Sequence, residues 1–426
     1  MRARSAVTFA ALVALGAGAA GAQSAQYTPP GSAAPEAGKT KEEIEQEMED
    51  ARWNLGPIRL APWIGIRGLS YQQNVFAEAE GGTDDVTATA GAGLTAYLPT
   101  GPDVFWIAQV MPEYVYWADQ TDRRQAAGRY GVGVYGDFNR LRLALQATRV
   151  EEQAEVTSEV PQLTVAEVDH LGASAILKLT PAIGIALSGS LADISFDEAD
   201  TTDIRVPEFG LLARESRALR AGLRWEPRDV FALEAGAERT VTEFAAGARN
   251  LSSTGTSPYL NLLVTGNRIE VRGEVVQRSL EPEPGSRLVP VDATEGSLYL
   301  ALRPGWRFGF GVYGHRSTVY SLAAAFSHFE EERYGVEVSA PFGRRIETRA
   351  FYEVGENDYV AIAAFRQRAD DSSGYGVEAT VELREWLSYT VGYRRLELDS
   401  NLPGLDRETS SLLSTINLTT GSWAWQ

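Results

Sequence analysis

Arg268-Ile269-Glu270-Val271-Arg272-Gly273-Glu274-Val275 is the stretch whose reading decides the fold. Ile269, Val271, Gly273 and Val275 alternate with Arg268, Glu270, Arg272 and Glu274. Successive side chains of a strand point to opposite faces, so one face here is apolar and the other carries four full charges. A soluble β-sandwich rarely puts four charges on one face of so short a strand. A transmembrane barrel can, because its outer face meets lipid and its inner face is wet.

The same alternation recurs on both sides of this stretch. Outward apolar sets are Leu141, Leu143, Leu145; Leu219, Ala221, Leu223, Trp225; Phe231, Leu233, Ala235; Trp306, Phe308, Phe310, Val312; and Val377, Ala379, Val381, Leu383. The opposite faces carry Arg142, Arg220, Arg224, Glu234, Glu238, Arg268, Glu270, Arg272, Glu274, Arg303, Arg307, Glu347, Arg349, Glu378, Glu382 and Arg384, the candidate lumen lining. Both signs are present. Cross-strand ion pairs that stiffen the wall are one use for them, and a charged constriction that selects solutes is the other.

Punctuation gives the strand count. Short Gly, Pro, Asn and Asp clusters such as Pro99-Thr100-Gly101-Pro102-Asp103, Thr265-Gly266-Asn267 and Pro341-Phe342-Gly343-Arg344 suit tight hairpins. They alternate with longer acidic connections, among them 77–85, 151–159, 330–333, 370–374 and 399–407. Short turns on one rim and long loops on the other predict an outer-membrane barrel of about eighteen antiparallel strands, within a range of roughly 16 to 20. Two predicted strands, 306–328 and 345–367, exceed a simple span and imply a projection or a hidden bend.

Ahead of the strands, residues 1–22 have the three parts of a secretory signal. Arg2 and Arg4 open it, Ala6 to Ala20 is apolar, and Ala20-Gly21-Ala22 is a small-x-small cleavage site. Residues 23–52 read as a periplasmic leader, disordered at first and then a short charged helix. Thr40 and Glu43 have capping-box spacing, and Ile44 and Met48 form its only apolar edge. A solvated spacer, a plug and a docking helix for a periplasmic partner all fit that pattern. Residues 53–426 then form the barrel.

The chain has 426 residues, no cysteine, 41 glycines and a formal net charge of −18. The missing cysteines exclude a disulfide scaffold and a thiol nucleophile. The acidic balance argues against nucleic acid as a partner. The expected partners are outer-membrane lipid, lipopolysaccharide and the barrel-assembly machinery.

Trp53-Asn54-Leu55-Gly56-Pro57-Ile58-Arg59-Leu60-Ala61-Pro62, followed by Asn74-Val75-Phe76, resembles the opening of the β-barrel porin 2 family of outer-membrane β-barrel proteins. There a Gly-Pro and a short apolar entry precede an Asn-Val-Phe element. The resemblance is specific over residues 53–76 and loose beyond. It implies a barrel, and it adds polysaccharide as a partner because some members are associated with exopolysaccharide systems. The ending Ser422-Trp423-Ala424-Trp425-Gln426 departs from the terminal aromatic of barrel-assembly signals by one residue.

Catalytic and metal motifs are missing. His170, His315 and His328 have no partner at metal-ligand spacing, and no nucleophile elbow, phosphate loop or zinc helix occurs. No cofactor is implied. His315 and Ser317 are two residues apart and share a face, which makes a barrel hydrolase the remote alternative. The expected function is a porin-like channel for hydrophilic solutes or an accessory to surface polysaccharide export. A structural or adhesive barrel with acidic extracellular loops is the alternative, and none of these but the hydrolase is an enzyme.

Overall fold

The computed structural model describes residues 41–51, 53–78, 82–197, 208–228, 230–245, 249–305, 308–363, 366–384 and 386–419. The expected signal peptide, the leader as far as residue 40, Trp306, Arg307 and the terminal Trp-Ala-Trp-Gln lie outside them. A helix, α1 (Lys41–Asp50), and a short strand, β1 (Trp53–Leu55), come first. Then follow β2 (Ile58–Gln73), β3 (Asp85–Pro99), β4 (Val104–Trp117), β5 (Gln125–Asp137), β6 (Leu141–Thr157) and β7 (Val160–Lys178). Next are β8 (Ile183–Asp197), β9 (Arg214–Arg228), β10 (Phe231–Phe244), β11 (Ser253–Thr265), β12 (Ile269–Pro282) and β13 (Val291–Leu302). The last are β14 (Gly309–Tyr320), β15 (Phe326–Phe342), β16 (Ile346–Ala361), β17 (Ala369–Arg384), β18 (Leu387–Ser400) and β19 (Arg407–Thr419).

Each strand from β2 on pairs antiparallel with the next, and β19 returns to β2 from Ser410↔Gln73 to Thr419↔Trp63. That pairing closes an eighteen-stranded barrel, the expected count, and leaves no open edge. β1 folds back on β2, with Trp53 opposite Leu60, through a turn in which Gly56 has φ 61°.

Burial alternates as the sequence does. Leu219 and Leu223 on β9 are 65% and 62% exposed, whereas Arg220 between them is 3% exposed. The exposed outer belt continues through Leu145, Leu298, Val312 and Val377. A belt of that kind is a liability in water and is matched by hydrocarbon. The barrel is therefore a transmembrane one, and its place is the outer membrane.

The belt ends abruptly toward the long-loop rim. On the outer face of β9, Trp225, Leu223, Ala221 and Leu219 give way to Arg217 and Glu215, which pair with each other. On β6 the change falls between Ala147 and Arg149, which meets Glu151, Glu167 and Asp169. Strands thus run on past the lipid, where neither face has to be apolar.

That overrun explains the misplaced loops. Glu330-Glu331-Glu332 lies within β15, and Glu330 and Glu332 pair with Arg316 on the adjacent strand. Residues 370–374 lie within β17, and 151–157 within β6. Charge on both faces of a strand reads as loop in the sequence. The two over-long strands are resolved by bends: β14 stops at Tyr320 and β16 at Ala361, and the actual connections are 321–325 and 362–368.

Candidate functional site: the lumen and its two closures

The inner wall is wet, charged and paired. Arg142 reaches Glu226 and Asp137, each at 3.4 Å. Arg224 meets Glu226 at 2.9 Å and Glu234 at 3.5 Å, and the Tyr259 hydroxyl donates to Glu234 at 2.8 Å. Glu270 holds Arg272 at 2.7 Å and Arg303 at 3.1 Å. Arg349 binds Glu337, which also accepts from the Tyr299 hydroxyl at 3.0 Å.

Deeper in the wall, Glu238 is fully buried between Arg220 and Arg278. Arg220 also binds Glu274 at 2.7 Å, and Arg278 binds Glu295 at 2.9 Å. Removing one member of such a set leaves a buried charge uncompensated, at about 3–5 kcal/mol. These positions brace the wall. Arg268, Glu347, Glu378, Glu382 and Arg384 are exposed instead, toward the short turns of the periplasmic rim.

The extracellular half is filled. Strands β6 and β7 continue beyond the wall as a hairpin whose tip, Ser158-Glu159, turns inward, so residues 151–159 are not an outward loop. Val156 and Val160 pack with Ile194, Phe209, Leu251, Leu288 and Tyr320 in a buried apolar cluster. The Glu159 carboxylate accepts from Arg368 Nη1 at 2.8 Å, from Ser321 Oγ at 3.0 Å and from the Leu322 amide at 2.7 Å. Its carbonyl accepts from Arg407 at 2.8 Å, and Ser158 accepts from Asn357 at 3.1 Å.

Arg368 is itself fixed. It forks onto Asp370 at 3.0 and 2.6 Å and lies over the Tyr359 ring at 4.1 Å. Burial alone would lower its pKa, but the bond to Asp370, the neighbouring Tyr359 and the Glu159 carboxylate raise it above the ordinary value. Arg249, in the connection after β10, donates to the carbonyls of Ser321, Ala323, Ala324 and Phe326 and so ties loop 321–325 down. Burial pulls its pKa below the ordinary value.

The sequence reading did not find Glu159, Arg368, Arg249 or Arg407. The available signal was Val156 and Val160, apolar residues flanking an otherwise acidic tip.

The second closure is α1. It is not a solvated spacer: Ile44 is 0% exposed and packs against Tyr97, Phe105, Ile107 and Tyr135. Those four alternate with outward residues such as Trp106 and Val134, so they belong to the inner face. The helix therefore sits inside the periplasmic mouth. Lys41 Nζ meets Asp103 Oδ1 at 2.9 Å, and the Tyr97 hydroxyl donates to Glu47 at 3.1 Å.

The histidines are taken by other partners. His315 Nε2 lies 3.1 Å from Glu331, which also binds Arg333. His170 faces Gln146 at 3.4 Å, and His328 faces Ser327 at 3.0 Å. Among the described residues no group of three metal-type side chains converges.

No family model and no curated protein matches the chain. The opening at residues 53–76 thus has no matching model of the β-barrel porin 2 family behind it. Solved structures do match. A BenF-like porin from Pseudomonas fluorescens superposes with a TM-score of 0.52 at 12% identity, over 86% of this chain and 99% of that one. OpdL from Pseudomonas aeruginosa gives 0.51 at 12%, over 85% and 99%. OccAB3 from Acinetobacter baumannii gives 0.51 at 11%, over 84% and 98%. At such identities the likeness is one of fold, and that fold is a closed eighteen-stranded outer-membrane β-barrel.

Proposed function

We propose that the chain is a porin-like channel for small hydrophilic solutes, held shut at its extracellular end by the β6–β7 hairpin in the conformation described. The observation that carries this reading is the contrast between the two halves of the lumen. The periplasmic half carries exposed charges on its inner face, with α1 seated against one stretch of its wall. The extracellular half is filled by side chains that converge on Glu159. Exposed charges on the inner face suit a path for hydrophilic solutes.

The neighbours lend support. One is named a BenF-like porin, and another is OpdK with vanillate, a small solute. None of these neighbours has polysaccharide in its name, so export of a polymer is not part of the proposal. His315 Nε2 meets Glu331, and among the described residues no hydrogen bond joins His315 to Ser317, so nothing favours the hydrolase idea.

Single-channel recording of the purified full chain in a planar bilayer tests the reading. The expected result is a small, intermittent conductance that becomes steady in Arg368→Ala. Silence from both, with the barrel folded by its heat-dependent gel mobility, would assign a structural role instead.

A further inference from the structure

Near the periplasmic rim the inner wall carries many charges, and Tyr97, Phe105, Ile107 and Tyr135 form an apolar patch among them. In an open lumen that patch would face water. It is covered by Ile44, with Met48 beside it, and polar ties at Lys41–Asp103 and Glu47–Tyr97 hold the helix at both of its ends.

We infer that α1 is a built-in constriction of the periplasmic mouth and sets its ion preference. This rests on the channel reading. The wall supplies a receptor for one helix, with an apolar centre and polar ties. A helix about 10–12 Å across spans roughly a third of a lumen whose backbone diameter is on the order of 30 Å.

The side turned away from the receptor is acidic. Glu42, Glu43, Glu45 and Glu49 are exposed, and Lys41, the helix's one basic residue, is engaged by Asp103. Solutes leaving the barrel pass this face, so cations are favoured there over anions. The helix is thus a selectivity element rather than a passive leader.

The chain has no cysteine, so an introduced thiol reports cleanly. In an Ile107→Cys background the new thiol is covered by the seated helix and is expected to react slowly with a membrane-impermeant maleimide. Adding Ile44→Asp, or Lys41→Glu with Glu47→Ala, should speed the reaction about ten-fold by unseating the helix. In bilayers, in an Arg368→Ala background that opens the extracellular closure, either change should raise conductance about two-fold, and Glu42→Gln/Glu43→Gln/Glu45→Gln should move the reversal potential in a KCl gradient toward zero.

Equal labelling with and without the helix substitutions would overturn the inference whatever the currents do. Faster labelling with unchanged conductance and ion preference would overturn it too, and would leave the channel reading standing. Faster labelling with folded barrels that stay silent, in Ile44→Asp and in Arg368→Ala alike, would remove the channel reading and the constriction with it.

Discussion

Glu159 and Arg368 are 209 residues apart in sequence and 2.8 Å apart in space. The first tips the β6–β7 hairpin. The second precedes β17, nearly half the barrel away in strand order. Their contact carries a chain segment across the lumen. It is also part of a longer set: Arg368 holds Asp370, which accepts from Ser400 at 2.6 Å. Wall, loop and hairpin are joined in one buried network.

Arg368→Ala is therefore expected to cost about 3–5 kcal/mol, because Glu159 and Asp370 both lose their shared cation. Glu159→Gln should cost less, since Ser321 and Leu322 can still donate to the amide oxygen. Urea unfolding of the single and double variants in detergent checks this. A coupling energy near zero would mean that the hairpin tip is not latched by the pair.

Arg249 makes a separate prediction. Its guanidinium donates to carbonyls of Ser321, Ala323, Ala324 and Phe326. Arg249→Met keeps the stem and removes the donors. Loop 321–325 should then be nicked by a protease added from outside several-fold faster than in the parent chain, because its local opening is no longer opposed. Cleavage mapped by mass spectrometry at those residues would support this, and an unchanged digestion rate would contradict it.

Inside the wall, position decides what a charge contributes. Glu238 is fully buried between Arg220 and Arg278, so Glu238→Gln should lower stability by about 3–5 kcal/mol. Glu378 is on the inner face too, but exposed, and Glu378→Gln should stay within about 0.5 kcal/mol. The two unfolding midpoints measured side by side give the answer. Equal shifts would mean that the inner wall is uniformly solvated.

The barrel and its strand count were legible because lipid outside and water inside impose a period-two code on each strand. Leu219-Arg220-Ala221-Gly222-Leu223-Arg224 states it, and the structure repeats it residue for residue in burial. The candidate site was legible only in part. Arg220, Glu238 and Glu270 were read as inner because they alternate with outer Leu and Val. Which partner each takes depends on register, and register is not written in a single strand. Glu159 and Arg368 were invisible for another reason: their contact spans the barrel, and the segment around each reads as an ordinary polar loop. The seat of α1 was half visible. Ile44 and Met48 marked an apolar edge, but Tyr97, Phe105, Ile107 and Tyr135 come from different strands and form a patch only when the barrel closes.

The outer belt makes the last prediction, and it is depth-dependent. Leu223 and Leu219 point outward on β9, and Arg217, on the same face, already meets Glu215 and Glu243. The lipid boundary on this strand therefore falls between Leu219 and Arg217. Leu223→Arg places a guanidinium nearer the bilayer midplane, and the expected cost is about 2–4 kcal/mol. Leu219→Arg, one step from the boundary, can extend toward the water beside Arg217 and should cost about 0–1 kcal/mol. Refolding yields into lipid vesicles, with unfolding titrations of the folded fraction, measure both. If Leu219→Arg proved the more damaging, the boundary would have to lie farther out than the Arg217–Glu215 pair.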